Sequence, residues 1–420
     1  MDGQQPLAAA PAREQRRRAG AAPGEGRRAR RPALTRALLG LALLAIALVA
    51  IVLALSGAST RRRDQGAVRF LGGSNPAFDA FTSGRDPAYG AFLRQHFSRL
   101  VVYSPYFDSR TRWYPRAWAY QDAYAIYRGS ALAREHPQWI LKDAAGNPLF
   151  IPFACAQGVC PQLAADISDP AFRSKWIAGA RAALAHGYRG LFIDDVNLAL
   201  RVGDGNGNPI APIDRGTGRP MTDQAWRRYM AQFTAQIRAA FPHVEIAHNV
   251  EWLAGASDPY VRQELRAADY INLERGVNDP ALTGGSGPYA LRSLFAYVDA
   301  VHALGRGVVL DGDAVQQPGI EYELASYLLL STGGDLVSAH GMTPLHWFTG
   351  FDVNLGEATG PRRTWQGVLR RDFTGGMSLV AEPESGAHVL RLPAPMRTLD
   401  GRVVRSVTLG PAQGAVLQRP

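Results

Sequence analysis

Seven short apolar runs, each closing on polar or turn-forming residues, recur along the chain with longer segments of helical character between them. They are VRFLGG (68–73), LVVYSPYF (100–107), GLFIDDV (190–196), VEIAHNV (244–250), YINLERGV (270–277), GVVLDGD (307–313) and DLVSAHG (335–341). Continuous apolar runs of this length fit strands buried on both faces, as in a parallel sheet covered by helices. Of the intervening helices, 170–187 begins after Ser168 or Asp169 with Pro170 in its first turn and ends at Gly187. Segment 222–240 opens on Thr222 and Asp223, and 289–305 closes at Gly305. These are start and stop residues in the order a helix requires. The alternation predicts an α/β chain folded as a (β/α)8 TIM barrel over residues 66–355. The remaining strand is expected near 139–153, in WILKDAAGNPLFIPF. A doubly wound open sheet is the alternative, but no glycine-rich fingerprint follows the first strand.

After Phe351 the pattern changes to period-two segments, GVLRRDF, MSLVAE, HVLRLP, VVRSVTL and GAVLQRP, separated by Gly, Pro and Asp. They predict a small C-terminal β-domain over 362–420, an accessory module too short for a catalytic core of its own. At the other end, residues 1–36 are rich in Ala, Arg, Gly and Pro without apolar periodicity and read as a disordered basic tail. Residues 37–59 then hold no charge over 23 positions, which is enough for one transmembrane helix. Nine Arg precede the segment, so the tail is expected in the cytoplasm and the body outside, on a single-pass signal-anchor. A cleaved signal peptide, with Ser56 and Ala58 at cleavage offsets, is the competing reading.

The formal charge of +10 suggests a polyanion partner until it is divided along the chain. Residues 1–63 carry twelve Arg against Asp2, Glu14 and Glu25, a local +9, so the other 357 residues carry about +1. Nucleic acid is excluded as a partner of the body. Cys155 and Cys160 are the only cysteines, in a C-x4-C segment with Gly158 and Pro161. Outside the cell they are expected to form a structural disulfide.

In a TIM barrel the working groups stand at the C-terminal ends of the strands. Here five consecutive strands end in ionisable or amide groups: Asp194-Asp195 with Asn197 beyond, His248-Asn249, Glu274-Arg275, Asp311 with Asp313, and His340. That predicts a polar mouth able to bind a ligand. Because strand side chains alternate, one of Asp194 and Asp195 faces the mouth and the other the helical layer. Asn272 and Glu274 share a face and can meet the strand-four carboxylate across the mouth. Two carboxyl groups so placed supply a nucleophile or base and a proton donor, the requirement of glycosidic cleavage. Glu274 must then hold its proton near neutral pH, to which apolar walls such as Leu273 would contribute. An ion pair of Arg275 with Glu274 or with a neighbouring Asp is the bland alternative. Tyr103, Tyr106, Trp139, Trp252 and Trp347 lie near strand ends and suit stacking on sugar rings, though each alone is as well explained by packing.

The stretches HPQWILKDAAGNPLF, GYRGLFIDDVN and WQGVLRRDFTGGMSLV resemble hypothetical glycosyl hydrolase family fifteen, over about residues 90–385. More distantly, the chain is similar to the endo-polygalactosaminidase and α-galactosidase group. The resemblance implies a TIM-barrel glycoside hydrolase with a nucleophilic Asp at the end of strand four and a carboxyl acid/base at the end of strand six. Those roles fall on Asp194, with Asp195 in reserve, and on Glu274. It implies a retaining reaction on a polysaccharide or oligosaccharide, with no metal or organic cofactor.

Other chemistries fit less well. GDGNGN (203–208) is not a phosphate-binding G-x-x-x-x-G-K-[ST] loop, and without the terminal Glu of an EF-hand it reads as a polar turn. No G-x-S-x-G elbow is present. His248, His340, His346 and Asp311 lack the H-E-x-x-H or H-x-H spacing of a zinc hydrolase. A membrane-tethered barrel that binds carbohydrate without cleaving it is the main non-enzymatic alternative.

Overall fold

The computed structural model describes residues 64–72, 87–252, 255–312, 314–338 and 347–420. Eight parallel strands close a barrel: β1 (Phe70–Gly72), β2 (Phe97–Val102), β3 (Ala117–Asp122), β4 (Gly190–Asp194), β5 (Glu245–Asn249), β6 (Tyr270–Glu274), β7 (Gly307–Asp311) and β8 (Leu336–Ser338). Each pairs with its sequence neighbour, and Phe70 pairs with Val337 to join β1 to β8. The TIM-barrel expectation holds, with one strand misplaced. The strand missing from the sequence reading is AWAYQD (117–122), not 139–153. The 139–153 segment belongs to an excursion after β3, where Lys142 bridges Pro148 and Phe150 bridges both Leu163 and Gly203.

The surrounding helices are α1 (Pro87–His96), α2 (Pro170–Leu184), α3 (Asp223–Ala240), α4 (Pro259–Ala267), α5 (Leu291–Ala303) and α6 (Gln317–Leu330). Caps set their starts: the Asp169 carboxylate accepts from the Ala171 amide at 2.7 Å, and the Thr222 hydroxyl accepts from Ala225 at 3.1 Å. Among the described residues no helix is long and apolar enough to cross a membrane. The expected tail 1–36 and spanning segment 37–59 lie outside the described residues.

Leu71, Val101, Trp118, Phe192, Ala247, Val309 and Leu336 form a cluster separate from the main core, the inward-facing set of the strands. This apolar plug divides the barrel interior. Below it, Glu245 accepts both Arg99 Nε and a terminal guanidinium nitrogen at 2.7 Å and the Trp118 indole at 3.0 Å. Burial works against the charged carboxyl, but the Arg99 guanidinium outweighs it and holds Glu245 down at about 2. Gly190 makes room here, because a Cβ would stand 2.2 Å from the Glu245 carbonyl oxygen.

The C-terminal sheet has the order β9 (Arg363–Trp365), β10 (Val368–Phe373), β11 (Gly376–Val380), β14 (Gly414–Gln418), β12 (His388–Arg397) and β13 (Val403–Leu409), all antiparallel. It packs on α6, whose residues Tyr322–Leu330 are all buried. A helix apolar on every side must be covered on every side, and the sheet supplies the outer cover. Ser378 donates its hydroxyl to the Ala325 carbonyl at 2.7 Å. Arg371 donates to the carbonyls of Leu328, Leu329 and Ser331 at the helix C-terminus, where a cation is favoured.

Candidate active site

Above the plug, the strand ends carry a connected polar network. Asp194, last in β4, accepts the Tyr120 hydroxyl on Oδ2 at 2.5 Å. Its Oδ1 accepts the Asn249 side-chain amide and the Asp195 backbone amide, both at 2.8 Å. Asn249 Nδ2 also donates to Glu274 Oε2 at 3.1 Å, so one amide nitrogen links the two carboxyl groups. Two oxygens held by one nitrogen at such lengths are no more than about 6 Å apart. Behind them, the fully buried Asn272 donates to Asn249 Oδ1 at 2.9 Å and to Asp311 Oδ2 at 3.2 Å. Tyr120, Asp194, Asn249, Glu274, Asn272 and Asp311 are thus one hydrogen-bonded set drawn from β3 to β7.

The residue after each carboxyl group is left-handed, Asp195 at φ 54° and Arg275 at φ 63°. Neither is glycine, so the backbone is strained at both strand tips, as is common where a site fixes its side chains. Asp194 therefore stays in the mouth while Asp195 turns aside, accepting from Asn197 at 2.9 Å. Burial, and then the charge of Asp194, push the Asp195 carboxyl up to about 6, against the pull of Arg201.

Asp122, at the end of β3 and paired in register with Asp194, was not anticipated from sequence. It is 8% exposed; its Oδ1 accepts the amides of Tyr124 and Ala125, and its buried Oδ2 has no hydrogen-bond partner. Burial, then the charges of Asp195 and Asp194, push this carboxyl well above its ordinary range, favouring the neutral acid. Tyr120, also unanticipated, is held neutral by burial and by the Asp194 charge. Both stand on the one strand the apolar pattern did not reveal.

Other expected residues fall elsewhere. His248 is fully buried and bonds Glu264 on α4 through Nδ1 at 2.5 Å, so it faces the helical layer and not the mouth. Strand alternation explains this, since its neighbour Asn249 faces inward. Trp139 is buried, stacked on His136 with ring centroids 3.8 Å apart, and packs in the main core. Leu273 is buried in that same core, on the face opposite Glu274, and Glu274 itself is exposed. Trp347 packs against Phe70, Phe92 and Phe97, and Trp252 lies partly buried against the core. Tyr103 does reach the mouth, its ring 4.7 Å from that of Tyr120. Tyr106 is exposed, with the Arg110 guanidinium 4.5 Å from its ring centre. Arg275 is exposed and makes no ion pair with Glu274. Asp313 and His340 lie outside the described residues.

Cys155 and Cys160 are disulfide-bonded. Asp204, in the 203–208 turn, accepts the backbone amides of Asn206 and Asn208 and the Asn208 side chain, so its carboxylate is committed to the turn.

A parallel eightfold barrel with carboxyl groups at its strand ends is an architecture that glycoside hydrolases share with many other enzymes. The description "Hypothetical glycosyl hydrolase family 15" matches residues 98–377, two thirds of the chain, and the chain belongs to that family. It is a glycoside hydrolase by that membership. No curated protein sequence matches it. Among solved structures it is similar to the glycoside hydrolase domain of PelA from Pseudomonas aeruginosa, at 16% identity over 66% of this chain and 95% of that one, TM-score 0.41. It is also similar to an α-amylase from Lactobacillus plantarum (12% identity, 84% and 99% covered, TM-score 0.46) and an α-galactosidase from Thermus thermophilus (14%, 74% and 66%, 0.43).

Proposed function

We propose that the chain hydrolyses O-glycosidic bonds of an extracellular or cell-surface polysaccharide, with Asp194 as nucleophile and Glu274 as acid/base. The observation that carries this reading is the Asn249 amide held between the two carboxyl groups. A spacing of no more than about 6 Å between the bridged oxygens suits direct attack by Asp194 on the anomeric carbon. Inverting enzymes hold their carboxyl groups about 6.5–9.5 Å apart to admit a water. In the first step Asp194 bonds to the anomeric carbon while Glu274 protonates the departing oxygen. In the second, Glu274 takes a proton from water, and the hydroxyl displaces Asp194 with net retention. Three donors, from Tyr120, Asn249 and the Asp195 amide, fix both oxygens of Asp194 in place for attack.

The apolar segment 37–59 supports a single-pass membrane tether with the barrel outside, and the Cys155–Cys160 bond supports an oxidising compartment. The test is release of reducing sugar by the purified chain from a panel of bacterial cell-surface and galactosaminyl polysaccharides. Release is expected; binding without release would replace this reading with that of a tethered, non-catalytic carbohydrate-binding barrel.

A further inference from the structure

The excursion between β3 and α2 buries Ile126, Leu141, Leu149, Ile151 and Leu163, yet leaves the ring of Phe153 63% exposed. Phe153 is therefore not excluded for want of an apolar interior, and leaving a phenyl ring in water costs about 2 kcal/mol of forgone burial. Nor does the ring hang on a loose loop. The Cys155–Cys160 bond follows it directly, and Ala156 and Val159 bond each other's backbones. Phe150 exchanges both backbone hydrogen bonds with Gly203. Gly205 lies so close to Gly158 that a Cβ would meet the Gly158 carbonyl oxygen at 1.8 Å, so the two loops are locked backbone to backbone. The partner loop is itself held by Asp204 and Asn208.

Among the described residues, the exposed aromatic rings share one end of the barrel. Tyr103 and Tyr106 follow β2, Tyr127 and Phe153 follow β3, and Tyr289 follows β6, all on the loops at the mouth end of the barrel. Strands two and three stand across the barrel from strands six and seven.

We propose that Phe153, held rigid by its disulfide-closed loop, is a stacking platform for a sugar unit remote from the cleaved bond. A flat ring fixed before the ligand arrives binds the apolar face of a pyranose without further ordering cost. The occupant is then a glycan chain several units long, crossing the mouth from the β3 excursion toward the β6 side. This rests on the proposed hydrolysis for its orientation, but the platform itself is testable by binding alone.

The experiment compares wild type and Phe153→Ala by electrophoretic retardation in gels containing each purified polysaccharide of the panel, and by hydrolysis of short aryl glycosides. The proposal expects Phe153→Ala to lose about tenfold in polysaccharide affinity, with aryl glycoside turnover and thermal midpoint unchanged. Equal retardation of wild type and Phe153→Ala overturns it, as does a wild type retarded by none of the polysaccharides. If retardation weakens in the variant while wild type cleaves nothing, the platform stands and the hydrolase reading falls. A Cys155→Ser/Cys160→Ser variant that stays folded should weaken retardation in the same direction.

Discussion

Tyr120 on β3 donates its hydroxyl to Asp194 on β4 at 2.5 Å, from the neighbouring strand and beneath the exposed ring of Tyr103. A hydrogen bond to a charged group contributes about 1.5–3 kcal/mol. Tyr120→Phe should therefore lower kcat by about 10- to 100-fold with KM little changed, because Asp194 loses the donor that holds its Oδ2 in place. An unchanged kcat would show that the hydroxyl does not position Asp194.

Asp122 and Glu245 give stability opposite dependences on pH. Asp122 is raised in the fold, so the native chain binds its proton more tightly than the unfolded chain. Its contribution is complete below the unfolded carboxyl range and is lost as pH rises toward the folded value. In guanidinium unfolding, Asp122→Asn should gain on wild type by up to about tenfold in the folding constant per pH unit above about 4. A variant that instead falls behind wild type with rising pH would show that Asp122 is a paired anion.

Glu245 is depressed to about 2, so its contribution is present above the unfolded value and lost as pH falls through the folded one. Glu245→Gln should flatten the acid limb of stability between about pH 4.5 and pH 2, at the cost of lower stability at neutral pH. The same unfolding series measures it, and a limb as steep as wild type would assign the acid sensitivity elsewhere.

His248→Ala leaves Glu264 buried without its partner. Breaking a buried pair in this way costs about 3–5 kcal/mol. The expected result is a large loss in the unfolding midpoint with turnover per folded molecule retained. A loss of KM at unchanged stability would return His248 to the mouth.

Most of the barrel was legible because β4 to β7 are continuous apolar runs that end in polar groups, which only a doubly covered parallel strand requires. β3 was not, for a physical reason. AWAYQD alternates Trp118 and Tyr120, which fill the interior, with Ala117 and Ala119, which lie under the helical layer, so its apolar run is only four residues long and holds no β-branched residue. With it went Tyr120 and Asp122. The pair at the heart of the mouth was legible because strand parity places Asn272 and Glu274 on one face; applied to His248-Asn249, the same parity separates a structural histidine from the bridging amide. The left-handed turns at Asp195 and Arg275 carry no glycine and left no sequence signal.

The central claim is that Asp194 and Glu274 act as a catalytic pair. The direct measurement is the rate of glycosidic hydrolysis by wild type, Asp194→Asn and Glu274→Gln on a polysaccharide the wild type cleaves, with folding of each checked by its unfolding midpoint. The account predicts that both substitutions lower the rate by at least about 10²–10⁴-fold while the midpoints stay near wild type. Wild-type turnover by either folded variant would contradict it.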